Sequence, residues 1–312
     1  MTSSPTFLRF TPAMFVILWS SGWIAAGVAM HYAEPLTFLS VRFALAAGIL
    51  GVACVAMGVE WPRSGAEIGH ALMAGVLLHG LYLTGVWGAV MNGLPVAISG
   101  LIAALQPILT ALLAPWLLGE TITRRQWAGV AVGFVGMATV LQPALAQVPA
   151  EKLQSLLIPL AVNLIGIVSV TFGTFYQKRF VASGDLRAIT VLQNVGALAV
   201  TIPLALLFET LRLEWNVQTA LTMAWSVFGM SFGAVALLLL LIRHGAVSRA
   251  AALIYLMPPM VAVQAMLFLG ESLTIVQMAG IAVTAAGVAL VVKTPSPDDA
   301  QHQGKRTGDA GA

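Results

Sequence analysis

Residues 105–140 read LQPILTALLAPWLLGETITRRQWAGVAVGFVGMATV, and residues 256–291 read LMPPMVAVQAMLFLGESLTIVQMAGIAVTAAGVALV. The two stretches align without a gap at an offset of 151 residues. Extended to 95–141 and 246–292, the match holds 17 identities in 47 pairs. Pro107 falls on Pro258, Gly119-Glu120 on Gly270-Glu271, Thr123 on Thr274 and Gln126 on Gln277. Ala128-Gly129 falls on Ala279-Gly280, and Gly136 on Gly287. Shared apolar composition does not place prolines, acids and amides at one spacing, so the match marks an internal repeat.

The repeat sits in a chain that water cannot cover. Of 312 residues, 59% are hydrophobic and 9% charged, and the mean hydropathy is +0.92. A soluble domain carries about 25% charged residues. The basic pI of 9.3 does not signal nucleic acid, because the lysines and arginines are scattered through short loops. The single cysteine, Cys54, excludes an intrachain disulfide. The first apolar run, 11–30, is longer than a signal-peptide core and reads as a membrane helix.

A span needs about 20 apolar residues. Such segments are expected at 11–30, 36–58, 67–88, 94–117, 126–142, 155–178, 187–208, 219–242, 247–268 and 274–292. With the N-terminus inside, 12 of the 15 Lys and Arg residues fall in cytoplasmic positions. Only Lys152 and Arg212 fall outside, and Arg42 lies within the second span. Both termini are therefore expected in the cytoplasm. The fourth and fifth segments repeat as the ninth and tenth, so the unit has five helices. Five is odd, so the second unit enters the membrane from the opposite side. The expected fold is an all-α integral membrane protein of ten transmembrane helices in two inverted five-helix repeats. Its parts are a cytoplasmic N-terminus (1–10), a first repeat (11–142), a periplasmic linker (143–154), a second repeat (155–292) and a disordered cytoplasmic tail (293–312).

These features resemble the drug/metabolite transporter superfamily, EamA-type. The likeness rests on the two five-span halves, the proline twelve residues before each Gly-Glu pair, the Trp19-Ser20-Ser21-Gly22-Trp23 segment and Arg42-Phe43. It covers the chain to about Val292 and is nearest to bacterial amino-acid exporters, aromatic ones included. It implies a transporter, not an enzyme.

Polar groups inside a span are functional candidates by default. His79 and Tyr82 are three residues apart and share a helix face. Each offers an apolar body with a polar tip, suited to a zwitterion with an apolar side chain, although His79 could instead bond a neighbouring helix. Trp19 and Trp23 line a lumen or belong to an interfacial belt. Asn163 and Tyr176 in the sixth segment, and Tyr255 in the ninth, complete the candidate substrate site. Pro107 and Pro258 are candidate paired hinges, or static kinks. Arg42, roughly 10 Å deep at 1.5 Å per residue, snorkels outward or faces the cavity.

All four Asp and all eight Glu lie at or beyond helix ends. The expected mode is alternating access through a central cavity by an uncoupled facilitator that exports amino acids. The alternative is an exporter of other metabolites or drugs, proton-coupled through His79. The missing mid-membrane carboxylate argues against a cation-selective drug pump. No metal-ligand spacing, cofactor motif or catalytic constellation is present. The expected partners are the small-molecule substrate and the lipid bilayer, with the chain a monomer or weak homodimer.

Overall fold

A computed structural model of the chain describes residues 5–94, 99, 102–103, 105–119, 121–146, 154–181, 183–244, 253–269 and 273–292. The described residues form α1 (Pro5–Ala29), α2 (Pro35–Ala56), α3 (Gly65–Met91), α4 (Leu105–Leu118) and α5 (Arg124–Leu145). They continue as α6 (Leu157–Phe180), α7 (Leu186–Phe208), α8 (217–244), α9 (Met257–Leu269) and α10 (Ile275–Val292). Each expected apolar segment overlaps one of these helices. Five of them, α2, α3, α6, α7 and α8, are long and apolar enough to cross a membrane. Helices α4 and α9 are 14 and 13 residues long, short of a full span as described. The sequence positions 143–154 and 293–312 fall largely outside the described residues.

Polar caps set where several helices start. Ser64 and Glu67 form a reciprocal capping box on α3. Asp185 caps α7, and Asn216 caps α8. The repeated Thr and Gln residues do the same work in both halves. Thr123 N–H donates to Gln126 Oε1 at 2.8 Å, and Gln126 N–H donates to Thr123 Oγ1 at 3.2 Å. Thr274 and Gln277 repeat this box at 3.0 and 3.2 Å. Two of the aligned identities are thus helix-start chemistry.

Helix packing is arranged in matched pairs. Helix α5 packs on α10, and α2 on α7. Helix α3 packs on α6 as α1 does on α8, and α4 on α6 as α1 does on α9. One of the tightest seams is α5–α10. A Cβ on Gly129 would meet the Gly287 carbonyl, one on Gly136 would meet the Thr284 backbone, and one on Gly287 would meet the Gly133 backbone. These glycines let two backbones touch. On the outside of the bundle, Val52, Ile158, Leu207 and Ile275 are each more than 70% exposed. Residues so apolar and so open are covered by lipid.

Two short loops are stitched together at one end. Ala33 and Leu213 form an isolated antiparallel bridge. Glu34 N–H donates to the Arg212 carbonyl at 2.9 Å, and Glu214 N–H to the Tyr32 carbonyl at 2.8 Å. Glu209 accepts from the N–H groups of Leu36 and Thr37 at 2.8 and 2.7 Å. These are open donors at the start of α2, where a carboxylate is electrostatically favoured. Glu34 accepts from Arg212 N–H at 2.8 Å and from the Thr210 hydroxyl at 3.1 Å. Slight burial pushes the Glu34 carboxyl up, but these hydrogen bonds outweigh it and hold the group below its ordinary value. Its share of the stitch is therefore present at neutral pH and is lost as pH falls through the lowered value.

The seam gives a direct test. Gly287→Ala forces backbone atoms apart and should lower stability by about 1–3 kcal/mol. Gly88→Ala, where a Cβ meets nothing within 4 Å, should leave the melting temperature unchanged or slightly raised. Thermal unfolding of both variants in detergent checks the contrast.

Candidate functional site: a central cavity between four helices

Helices α1, α2, α3 and α8 enclose a cavity of about 50 Å³. Trp19 and Gly22 come from α1, Arg42 from α2, and His79, Tyr82, Val86 and Trp87 from α3. Met230 and Val235 come from α8. Trp19, His79 and Tyr82 were candidates from the sequence, and the fold brings these three to one place. The space holds a few waters, whereas small-molecule pockets usually measure about 300–1,000 Å³. The cavity is therefore constricted in this conformation.

The constriction has a visible cause. The Met230 side chain lies directly against Gly22, where a Cβ would strike its methyl group. The Ser21 hydroxyl contacts the Met230 sulfur at 3.9 Å and accepts from the Trp225 indole N–H at 2.9 Å. Methionine is flexible, so a change of the Met230 rotamer would widen the space.

The backbone around the cavity departs from the α-helix twice. Residues Val76–Leu81 of α3 and Ser226–Ala234 of α8 are π-helical. Such turns are rare and concentrate at functional sites. The same offset of 151 carries 76–81 onto 227–232, and His79 onto Met230. Each half thus contributes one widened turn, and each turn presents a cavity residue.

His79 is 4% exposed, and its Nε2 has no hydrogen-bond partner among the described residues. Its ring centre lies 6.4 Å from that of Phe43. Arg42 is 6% exposed. Its Nε donates to the Ser231 hydroxyl at 3.0 Å, and its guanidinium carbon sits 5.4 Å from the Phe43 ring centre. Of the two placements open to Arg42, the structure shows the cavity-facing one. Trp87 stacks on Phe38 at 6.0 Å between ring centres, which fixes its ring against the wall.

Other candidates lie elsewhere. Asn163 is fully buried and donates to the Ser99 hydroxyl at 2.6 Å, a contact between helical segments. The Tyr176 hydroxyl is 2.6 Å from His70 Nδ1, and its ring packs on Phe180 at 4.8 Å. Tyr255 has no exposed surface, packs its ring over Gly133, and sits in an apolar cluster with Phe15, Met137 and Val288. The side chains of Trp23 and Pro258 lie outside the described residues. Pro258 is the second residue of α9, directly after a 3₁₀ turn at Leu253–Leu256, and Pro107 is buried in α4. Sequence reading missed Met230, Ser231 and Trp87. Applying the repeat offset to His79 would have found Met230.

A bundle with lipid-facing sides and a polar-tipped aromatic cavity at its centre is the architecture of a membrane carrier. The sequence pattern of the EamA-like transporter family matches residues 11–142 and 157–293. The chain belongs to this family and is an integral membrane transporter. It is 25% identical over 288 residues to the uncharacterized transporter YvbV of Bacillus subtilis (strain 168), covering 89% of each chain. It is 23% identical over 296 residues to a probable amino-acid metabolite efflux pump of Salmonella typhimurium (strain LT2), covering 91% of this chain and 94% of that one. A protein crystal structure shares its fold with a TM-score of 0.75 at 16% identity, over 91% of this chain and 96% of that one.

These placements separate the candidates by experiment. Trp19→Ala and Tyr82→Ala should raise the KM for transported substrate about tenfold, the loss of about 1.4 kcal/mol of binding. Tyr176→Phe and Tyr255→Phe should leave KM within about twofold, below roughly 0.4 kcal/mol. Tyr255→Phe also removes a buried hydroxyl that has no partner among the described residues. Its melting temperature should therefore hold or rise.

Proposed function

We propose that the chain exports small solutes, chiefly amino acids with apolar or aromatic side chains, across a bacterial inner membrane. The observation that carries this reading is the cavity wall itself. Trp19, Tyr82 and Trp87 supply aromatic faces, and His79 and Arg42 supply polar groups at the same depth. That combination fits a body that is apolar on one side and charged on the other. The relative named as a probable amino-acid metabolite efflux pump points the same way.

The carrier works by alternating access between two inverted five-helix halves, with ten spans and both termini in the cytoplasm. Supporting this are the matched capping boxes, the matched π-helical turns and the matched helix pairs. In that topology the stitched loops 32–37 and 209–214 both lie on the periplasmic face and close it. Opening that face requires Glu209 to leave the start of α2. Pro107 and Pro258, at matching positions of the two halves, are the proposed flexing points. Transport is uncoupled, because no Asp or Glu of the sequence falls in mid-span. The unpartnered Nε2 of His79 favours a second reading, a proton-coupled exporter.

Uptake of labelled phenylalanine into liposomes holding the purified protein tests the first reading. Saturable flux that falls at least tenfold in His79→Ala and proceeds without a pH gradient is expected. A strict requirement for a pH gradient would replace the facilitator with the proton-coupled carrier, and no flux of any amino acid would remove the exporter reading. A cysteine pair at the loop bridge tests alternating access. With Cys54 first replaced by alanine, oxidising Ala33→Cys/Leu213→Cys should arrest transport, and reductant should restore it. Undiminished flux through the cross-linked protein would rule out an opening at this stitch.

A further inference from the structure

A guanidinium is costly to bury without a counter-charge. Arg42 has no carboxylate partner among the described residues, whose ion pairs include Arg63–Glu60, Arg187–Asp185 and Arg212–Glu214. Arginine carries five N–H donors, and Ser231 takes the one on Nε. The rest of the planar fork belongs to a side chain that lines the cavity. Such a fork matches a two-oxygen anion. The aromatic wall beside it suits an apolar body.

We propose that Arg42 is the anion seat of the cavity, and that it makes a carboxylate the group this carrier selects. This rests on the cavity being the transport site. Ser231 is a positioning residue: by holding Nε, it turns the other donors of the guanidinium toward the ligand. The substrate class is an organic carboxylate with an apolar or aromatic body, zwitterionic amino acids included. A ligand carrying only an ammonium would set two cations against each other in a low-dielectric site, where like charges repel strongly. Amines and cationic drugs are therefore excluded by charge, not by size.

The seat is single. The offset of 151 carries Arg42 onto Gln193 of α7, an uncharged residue. The Gln193 amide is fully buried and donates to Gln177 at 2.6 Å. One half of the carrier therefore holds the charge and the other holds a neutral amide. One carboxylate is bound per cycle.

The test compares three ligands that share one ring and differ in charge. Thermal unfolding of the full chain in detergent is followed with phenylalanine, 3-phenylpropionate, phenethylamine and inorganic phosphate. The first two should raise the melting temperature, and phenethylamine and phosphate should not. Arg42→Gln should abolish the shift, and Arg42→Lys should retain part of it. If Arg42→Gln does not fold, Ser231→Ala keeps the cation and should raise the half-saturating 3-phenylpropionate concentration several-fold. Equal stabilisation by phenethylamine, stabilisation by phosphate alone, or a full carboxylate shift in Arg42→Gln would each overturn the seat. Flux separates this from the exporter reading. Phenylalanine flux inhibited equally by phenethylamine and 3-phenylpropionate leaves the exporter and removes the seat. An Arg42-dependent carboxylate shift without amino-acid flux leaves the seat and removes the exporter.

Discussion

Helices α5 and α10 touch backbone to backbone, and they do so because Gly129, Gly133, Gly136, Gly280 and Gly287 carry no side chain. In lipid there is little hydrophobic force to press helices together, so dispersion at short range must do it. A Cβ at Gly129, Gly136, Gly280 or Gly287 would open the seam, and one at Gly133 would strike the Tyr255 ring. Helices α5 and α10 join the two halves of the chain at one side, and α2 and α7 join them near the cavity. Around these seams the bundle buries Phe15, Tyr255 and Met137 in one cluster and Phe38, Phe43 and Trp87 in another.

The cavity follows from this frame and from two local departures. A π-helical turn carries one extra residue and rotates the following side chains around the axis. In α3 it includes His79, and in α8 it includes Met230 and Ser231. The first faces a cation, the second closes the space against Gly22, and the third holds the cation in place. The residues proposed for binding, closure and charge selection thus sit within a few positions of each other or of their repeat equivalents. Met230 and the stitched loops are separate barriers, one made by a flexible thioether and the other by carboxylates on open backbone donors.

The polar groups of the bundle divide by what they have to satisfy. Asn163, Gln193 and Tyr176 each reach a side chain on another segment, which offsets part of the cost of burial. Arg42 has Ser231 as a described side-chain partner, and His79 Nε2 has none among the described residues. What sets Arg42 and His79 apart is that both line the cavity, whereas Asn163, Gln193 and Tyr176 are not among its lining residues. Burial and polarity, the properties readable from a sequence, are the same in both groups.

The sequence by itself determined that the chain lives in lipid, that it repeats at an offset of 151, and that Thr123, Gln126, Thr274 and Gln277 mark equivalent places. Those conclusions depend on composition and spacing, which are properties of the chain. It also placed Trp19, His79 and Tyr82 among the candidates, because a polar tip inside a span is costly wherever it lies. The tertiary structure decided which candidates meet. Helical spacing gives a residue's face but not what that face looks at, so Asn163 and Tyr255 could not be told from His79 along the chain. The direction of Arg42 was likewise open, since snorkelling and cavity placement need the same depth. Only the packing of α2 against α3 and α8 turned it inward, beside Ser231 and away from any described carboxylate.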